Sequence, residues 1–131
     1  MLLQRDLTER VIGLAITVHH ELGPGLLESV YETCLGLELT QAAIPFRRQA
    51  SIPVSYRGMQ LTTGFRADFL ICEDLIVEIK AVDRLLSTHE AQLLTYLRMS
   101  GCQVGLLLNF NALRLKDGLR RLVRSQQPES D

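Results

Sequence analysis

Apolar residues recur along this chain with two periods, and the changes of period mark out its elements. Leu7, Val11, Leu14, Val18 and Leu22 repeat at helical spacing, and Asp6 with Glu9 reads as a capping box at the start of that helix. Gly23-Pro24-Gly25 ends it. A second helix is predicted from about Leu26 to Thr40, with Leu27, Val30, Cys34 and Leu37 as its apolar stripe and Pro45 at its exit. The period then falls to two. Arg48 to Tyr56 reads as a strand, Arg57-Gly58 as a turn, Gln60 to Ile71 as a second strand and Leu75 to Ala81 as a third. Their short connections predict an antiparallel meander. Ser87 and Glu90 form a second capping box, opening a helix through Ser100 that Gly101 stops. Val104 to Asn109 is a nearly unbroken apolar run, as expected of a strand buried on both faces. The stretch from Leu113 to Arg124 suits a strand or a helix. The order is helix, helix, three strands, helix, strand and one undecided element, an α/β pattern.

Composition narrows the class. At 131 residues the chain reads as one domain, residues 1–124, followed by a flexible polar tail, residues 125–131, that contains Pro128. Apolar residues make up 47% and charged residues 22%, as in an ordinary globular protein. No apolar run approaches the ~20 residues that span a bilayer, and the start Met-Leu-Leu-Gln-Arg-Asp lacks the shape of a signal peptide. A cytoplasmic protein without membrane partners is expected. Cys34, Cys72 and Cys102 are far apart and form no CxxC pair, which speaks against a zinc knuckle and for reduced, mostly buried thiols. A net charge of −1 counts against a passive DNA-binding module. It does not count against an enzyme whose metal site gathers carboxylates.

The chemistry concentrates in Arg66-Ala67-Asp68-Phe69-Leu70-Ile71, Cys72-Glu73-Asp74 and Leu75-Ile76-Val77-Glu78-Ile79-Lys80. With Cys72-Glu73-Asp74 as a three-residue hairpin loop, Ile71 faces Leu75, Asp68 faces Glu78 and Arg66 faces Lys80. Side chains alternate along a strand. Asp68, Glu78, Lys80 and Arg66 then share one face, and Phe69, Ile71, Leu75, Val77 and Ile79 share the other, the core face. A slip of one residue would part the two acids. Two like charges set opposite each other are unfavourable. Lys80 and Arg66 relieve part of this, and a hard divalent cation held by both carboxylates relieves more. A solvated ladder of alternating charges explains the same hairpin without any site.

Further polar groups flank these strands. Glu28, Tyr31 and Glu32 stand at i, i+3 and i+4 on the second helix. Gln92 and Tyr96 stand four apart on the third. His19 precedes the Gly-Pro-Gly break, where it is a weaker candidate, and His20 weaker still.

Together these pieces resemble the GxxExxY family, through Gly25-Leu26-Leu27-Glu28-Ser29-Val30-Tyr31 and through Val18-His19 followed by Leu22-Gly23-Pro24-Gly25. That family is similar to a branch of the PD-(D/E)XK, restriction-endonuclease-like superfamily. Asp68 and Glu78-Ile79-Lys80 match the superfamily's acid and acid-X-Lys, and Gln92-Leu93-Leu94-Thr95-Tyr96 is similar to a QxxxY motif. The resemblance runs from about Leu7 to Val123. It implies a restriction-endonuclease-like core of helix, three-stranded antiparallel meander, helix and a further strand, with an extra N-terminal helix. It implies Mg²⁺ or Mn²⁺ held by Asp68, Glu78, the Ile79 carbonyl and Glu28. Glu28, Asp68, Glu78 and Lys80 would be catalytic, and Tyr31, Gln92, Tyr96 and His19 supporting. The activity implied is metal-dependent hydrolysis of nucleic acid, DNA foremost, in repair or defence. Arg47, Arg48, Arg114, Lys116, Arg120, Arg121 and Arg124 are candidate phosphate contacts. A catalytically silent module of the same fold, acting through a protein partner or as a homodimer, is the alternative. A small-molecule phosphoesterase is a third reading.

Overall fold

In the computed structural model, helix α1 spans Leu2–Leu22, α2 Glu28–Gln41 and α3 Ser87–Ser100. The strands are β1 Phe46–Tyr56, β2 Met59–Ile71, β3 Leu75–Lys80, β4 Val104–Asn109 and β5 Leu119–Val123. The structure describes residues 2–124, without the side chains of residues 2–4 and 62–63. The tail expected at 125–131 lies outside the described residues. The undecided stretch resolves into both forms, a 3-10 turn at Leu115–Gly118 and then β5.

The five strands form one sheet in the order β1-β2-β3-β4-β5. The meander β1-β2-β3 is antiparallel, β4 joins β3 in parallel, and β5 returns antiparallel to β4. A parallel neighbour needs a long crossover, and α3 supplies it. Helices α1 and α2 cover one face, packing Val11, Ala15, Val18, Tyr31, Leu35 and Leu39 on Phe69, Ile71, Leu75, Val77 and Ile79. Helix α3 covers the other, packing Leu93, Tyr96 and Leu97 on Leu70, Ile76 and Leu107. Every residue of β4 is buried, as a strand between two helical layers should be.

Several local expectations give way. Asp6 lies a turn inside α1 and caps nothing, because the helix already begins at Leu2. Helix α3 begins at Ser87 itself, so Ser87 and Glu90 form no capping box. His89 Nδ1 instead accepts the Leu86 N–H at 3.0 Å. Most of the predicted stripe of α2 faces outward, with Leu27 76% and Leu37 59% exposed, and only Cys34 packs against the core. The buried face is Tyr31, Leu35, Gly36 and Leu39. At Gly36 a Cβ would meet the Arg48 and Phe46 side chains at ordinary contact distances, 3.4 Å and 3.8 Å, so β1 side chains lie over that side of the helix. Only Cys102 of the three free thiols is buried, and Cys72 is exposed in the hairpin loop.

The long β1–β2 pair turns over partway along. Ala50, Ile52, Phe65 and Ala67 pack with α3, whereas Phe46, Phe69 and Ile71 pack with α1 and α2. Strict alternation would keep Ala67 and Phe69 on one face. The reversal falls at Gln49 and Asp68, and Gln49 has a left-handed φ of 49°. That conformation is strained for a non-glycine residue and tends to persist where function needs it.

Candidate active site

Asp68 stands where β2 parts from β3. The last paired residues there are Phe69 and Val77. Beyond them the carboxylates stand in for main-chain acceptors. The Asp68 N–H donates to Glu78 Oε2 at 2.8 Å. The Ile79 N–H donates to Asp68 Oδ2 at 2.7 Å. The two acids therefore meet, each anchored to the other's strand. The hairpin loop and the pairing Ile71↔Leu75 and Leu70↔Ile76 are as predicted. The predicted partnership of Arg66 with Lys80 is not made. The ladder has already opened and β2 has turned over, which leaves Arg66 exposed.

Burial raises the energy of both charges. Glu78 is only 6% exposed. Its carboxyl is pushed up to about 8, first by burial and then by the Asp68 charge. Burial also raises Asp68, while the Ile79 N–H and the Gln49 amide pull it down. The Lys80 charge favours the ionised form of both acids. The polar face is thus no solvated charge ladder.

A third acid belongs to this group, and it is Glu32. Its charge acts on both Asp68 and Glu78. Glu32 bridges to Arg48 at 3.0 Å. The Gln49 amide spans the gap, donating to Glu32 Oε1 at 3.1 Å and to Asp68 Oδ1 at 3.1 Å. The spacing had placed Glu32 on the face of Glu28 without giving it a role. Nothing in a strand-like run marked Gln49.

Glu28 sits at the exit of β3, where its Oε2 accepts the Ala81 N–H at 3.2 Å. Tyr31 is fully buried and serves the loop before Glu28. Its hydroxyl donates to the Gly23 carbonyl at 2.6 Å and accepts the Leu26 N–H at 3.1 Å. Its ring stacks on Phe110 at 4.6 Å. His19 Nε2 donates to the Ala112 carbonyl at 2.8 Å, which ties α1 to the turn after β4 and holds that nitrogen away from the acids. Gln92 is exposed and hydrogen-bonds Tyr96. The Tyr96 ring stacks on Phe65 at 3.8 Å, and burial with the nearby Glu78 and Asp68 charges pushes its hydroxyl pKa up.

The turn after β4 went unnoticed in the sequence, yet it locks both loops that carry site residues. Asn109 is buried and grips the main chain just past Lys80, accepting the Val82 N–H at 3.0 Å and donating to the Val82 carbonyl at 2.9 Å. Asn111 Oδ1 accepts the Gly25 N–H at 3.1 Å, three residues before Glu28.

Of the basic candidates, Arg47 pairs with Glu73 at 2.9 Å and Arg48 with Glu32. Arg124 bonds the Cys102 carbonyl at 3.2 Å. Arg120 and Arg121 lie on β5, at the far edge of the sheet from β1. Of these only Arg48 reaches the acid group, and its charge is taken by Glu32.

The domain is α/β, with an acid on one strand, acid-X-Lys on the next and both carboxylates meeting where the strands part. Residues 5–122 match the sequence model of the PD-(D/E)XK nuclease superfamily, and the chain belongs to that superfamily. Members generally use divalent metal ions. No curated protein and no solved structure matches the chain.

Proposed function

We propose that this chain is a metal-dependent nuclease of the GxxExxY branch, cytoplasmic, that hydrolyses phosphodiester bonds in DNA. The carrying observation is the contact of Asp68 and Glu78 at the opened ladder, with the Lys80 charge beside them.

The donors suit a hard divalent cation. Two carboxylates pressed together, one of them raised to about 8, are what such an ion would relieve. Among the described residues no three acidic, histidine or cysteine side chains converge tightly enough to enclose an ion. Asp68, Glu78 and the Ile79 carbonyl would therefore hold Mg²⁺ or Mn²⁺ together with water, and Glu28 is the further acid proposed. When bound, the ion lowers the pKa of a ligated water and offsets charge on the phosphate. Lys80 offers its ammonium to a non-bridging phosphate oxygen or to the attacking water. Acting as a base would require a lowered pKa. Gln49 and the Ile79 N–H hold Asp68 in place, and the Asp68 N–H holds Glu78. Gln92 and Tyr96 support the site from α3.

One observation favours the silent module. Asp68 Oδ2 and Glu78 Oε2 each accept a main-chain N–H from the other's strand, which gives both acids a structural use in holding β2 to β3. Incubation with single- and double-stranded DNA and RNA, with Mg²⁺, Mn²⁺ or chelator, separates the two readings. The nuclease requires metal-dependent cutting that falls about 100-fold or more in Glu78→Ala and in Lys80→Ala. Cutting that survives both substitutions marks a contaminant. No cutting, together with no metal-dependent rise in Tm, would establish the silent module.

A further inference from the structure

Between Phe46 and Ala67 the chain carries four arginines and no acidic residue, although its net charge is −1. Arg47 and Arg48 are spoken for by Glu73 and Glu32. Arg57 and Arg66 are exposed and form no ion pair among the described residues. The same stretch exposes large apolar side chains at the hairpin tip, Tyr56 at 60% and Met59 at 65%.

Register shows that these apolar groups form one face. Ile52 pairs with Phe65, Val54 with Leu61 and Tyr56 with Met59. Counting by twos along β1 puts Ile52, Val54 and Tyr56 on a common side. The irregularity between Pro53 and Val54 admits two extra residues of β2 and so keeps Leu61 and Met59 with them. Near its root this face lies under α3, where Phe65 stacks on Tyr96. Its outer half covers nothing among the described residues. An apolar track therefore leads from the edge of the acid pair out along the hairpin to a tip that carries the Arg57 cation, while Arg66, between Phe65 and Ala67 on β2, belongs to the opposite face.

We propose that the outer half of the β1–β2 hairpin is a docking arm for single-stranded nucleic acid, with unstacked bases lying on Tyr56 and Met59 and a phosphate held by Arg57 at the turn between them. The proposal rests on the nuclease reading for its ligand class and deepens it by naming the strand form. Phosphate binding alone has no use for an apolar tip. A duplex keeps its bases stacked inside, so the tip would find nothing to lie on, whereas every unstacked base offers a face to an aromatic ring. A second copy of the chain fits less well. A two-fold contact through this face would set two acid-free, arginine-bearing hairpins against each other.

Binding, not cutting, is the test. The full chain is titrated in chelator with fluorescent oligothymidylate, oligouridylate and a duplex of equal length, with anisotropy as the readout. The wild type should bind single strands more tightly than duplex, and the two single strands tell DNA from RNA. Tyr56→Ala should weaken binding about 5- to 150-fold. Arg57→Gln should lower the salt slope by about 0.7. Leu113→Ala, at an exposed position on the turn before β5, should change neither. Both variants should keep the wild-type Tm, since the side chains removed are exposed. Unchanged affinity in Tyr56→Ala, a preference for duplex, or a concentration-dependent dimer that Tyr56→Ala dissolves would each overturn the arm. Tyr56-dependent binding by a protein that never cuts leaves the arm standing and sinks the nuclease. Cutting with Tyr56-independent binding does the reverse.

Discussion

Two carboxylates that a folded chain presses together must either hold a proton or hold a cation, and Glu78 shows which way the metal-free protein leans. Its carboxyl is raised from the usual 4.5 to about 8 by burial and by Asp68. A raised acid takes up its proton more readily folded than unfolded. Its contribution is therefore fully present below about pH 4.5 and is lost as pH rises through 8. Asp68, raised by its burial, acts in the same direction. Metal-free protein should accordingly show a falling Tm between pH 5 and 8. Glu78→Gln, which keeps the shape without the charge, should melt higher than wild type at pH 8 by about 1–3 kcal/mol of stability. A Glu78→Gln protein less stable than wild type at pH 8 would show that the burial penalty is not what governs this pair. Asp68, Glu78 and Lys80 were legible in the sequence because alternation and a short loop bring them together. Gln49 was not. Its place depends on a left-handed residue inside a run that reads as plain strand. Glu32 was visible at helical spacing from Glu28, but its partners Arg48 and Gln49 come from a distant strand.

Elements place these residues through their ends more than their middles. The turn from Asn109 to Ala112 is held to the loop after Lys80, to the loop before Glu28 and to α1. Asn109→Ala would leave the half-buried Val82 main chain without both partners. A loss of about 2–3 kcal/mol by urea unfolding is expected, and an unchanged midpoint would remove the turn from this role. The β1–β2 hairpin bends at a second point, where a Cβ on Gly64 would stand 2.4 Å from the Ile52 carbonyl oxygen. Gly64→Ala must shift one strand against the other. It should cost about 1–3 kcal/mol, read as a lowered urea midpoint. The boundaries of α2, β3 and β4 were near those predicted because Gly-Pro-Gly, the hairpin loop and Gly101 are local signals. The outward turn of Leu27, Val30 and Leu37 was not legible. Helix α2 has two candidate apolar stripes, and the one that is buried, Tyr31, Leu35 and Leu39, is the one that packs in the core with α1 and the sheet.

At the scale of the whole molecule, α1 and α2 on one face and α3 on the other bury the centre of the sheet and leave the acids at the gap where β2 and β3 separate. An ion bound there to the folded chain alone would stabilise it by mass action. Mg²⁺ at 100 times its Kd should add about 2.7 kcal/mol. The gain should be larger at pH 8 than at pH 6, because the ion displaces the proton that Glu78 holds. Melting curves with Mg²⁺ and with chelator at the two pH values measure it, and a pH-independent shift would place the ion elsewhere. The chain's own pattern determined the element order as far as β4, the antiparallel meander and the meeting of Asp68 with Glu78. Period, turn residues and hairpin register act over a few neighbouring residues. Tertiary structure decided the rest: which stripe of α2 is buried, where β2 leaves β3 and turns over, and which acid stands nearest the pair. Those outcomes depend on contacts between residues far apart in sequence, where competing local patterns are equally good until packing selects one.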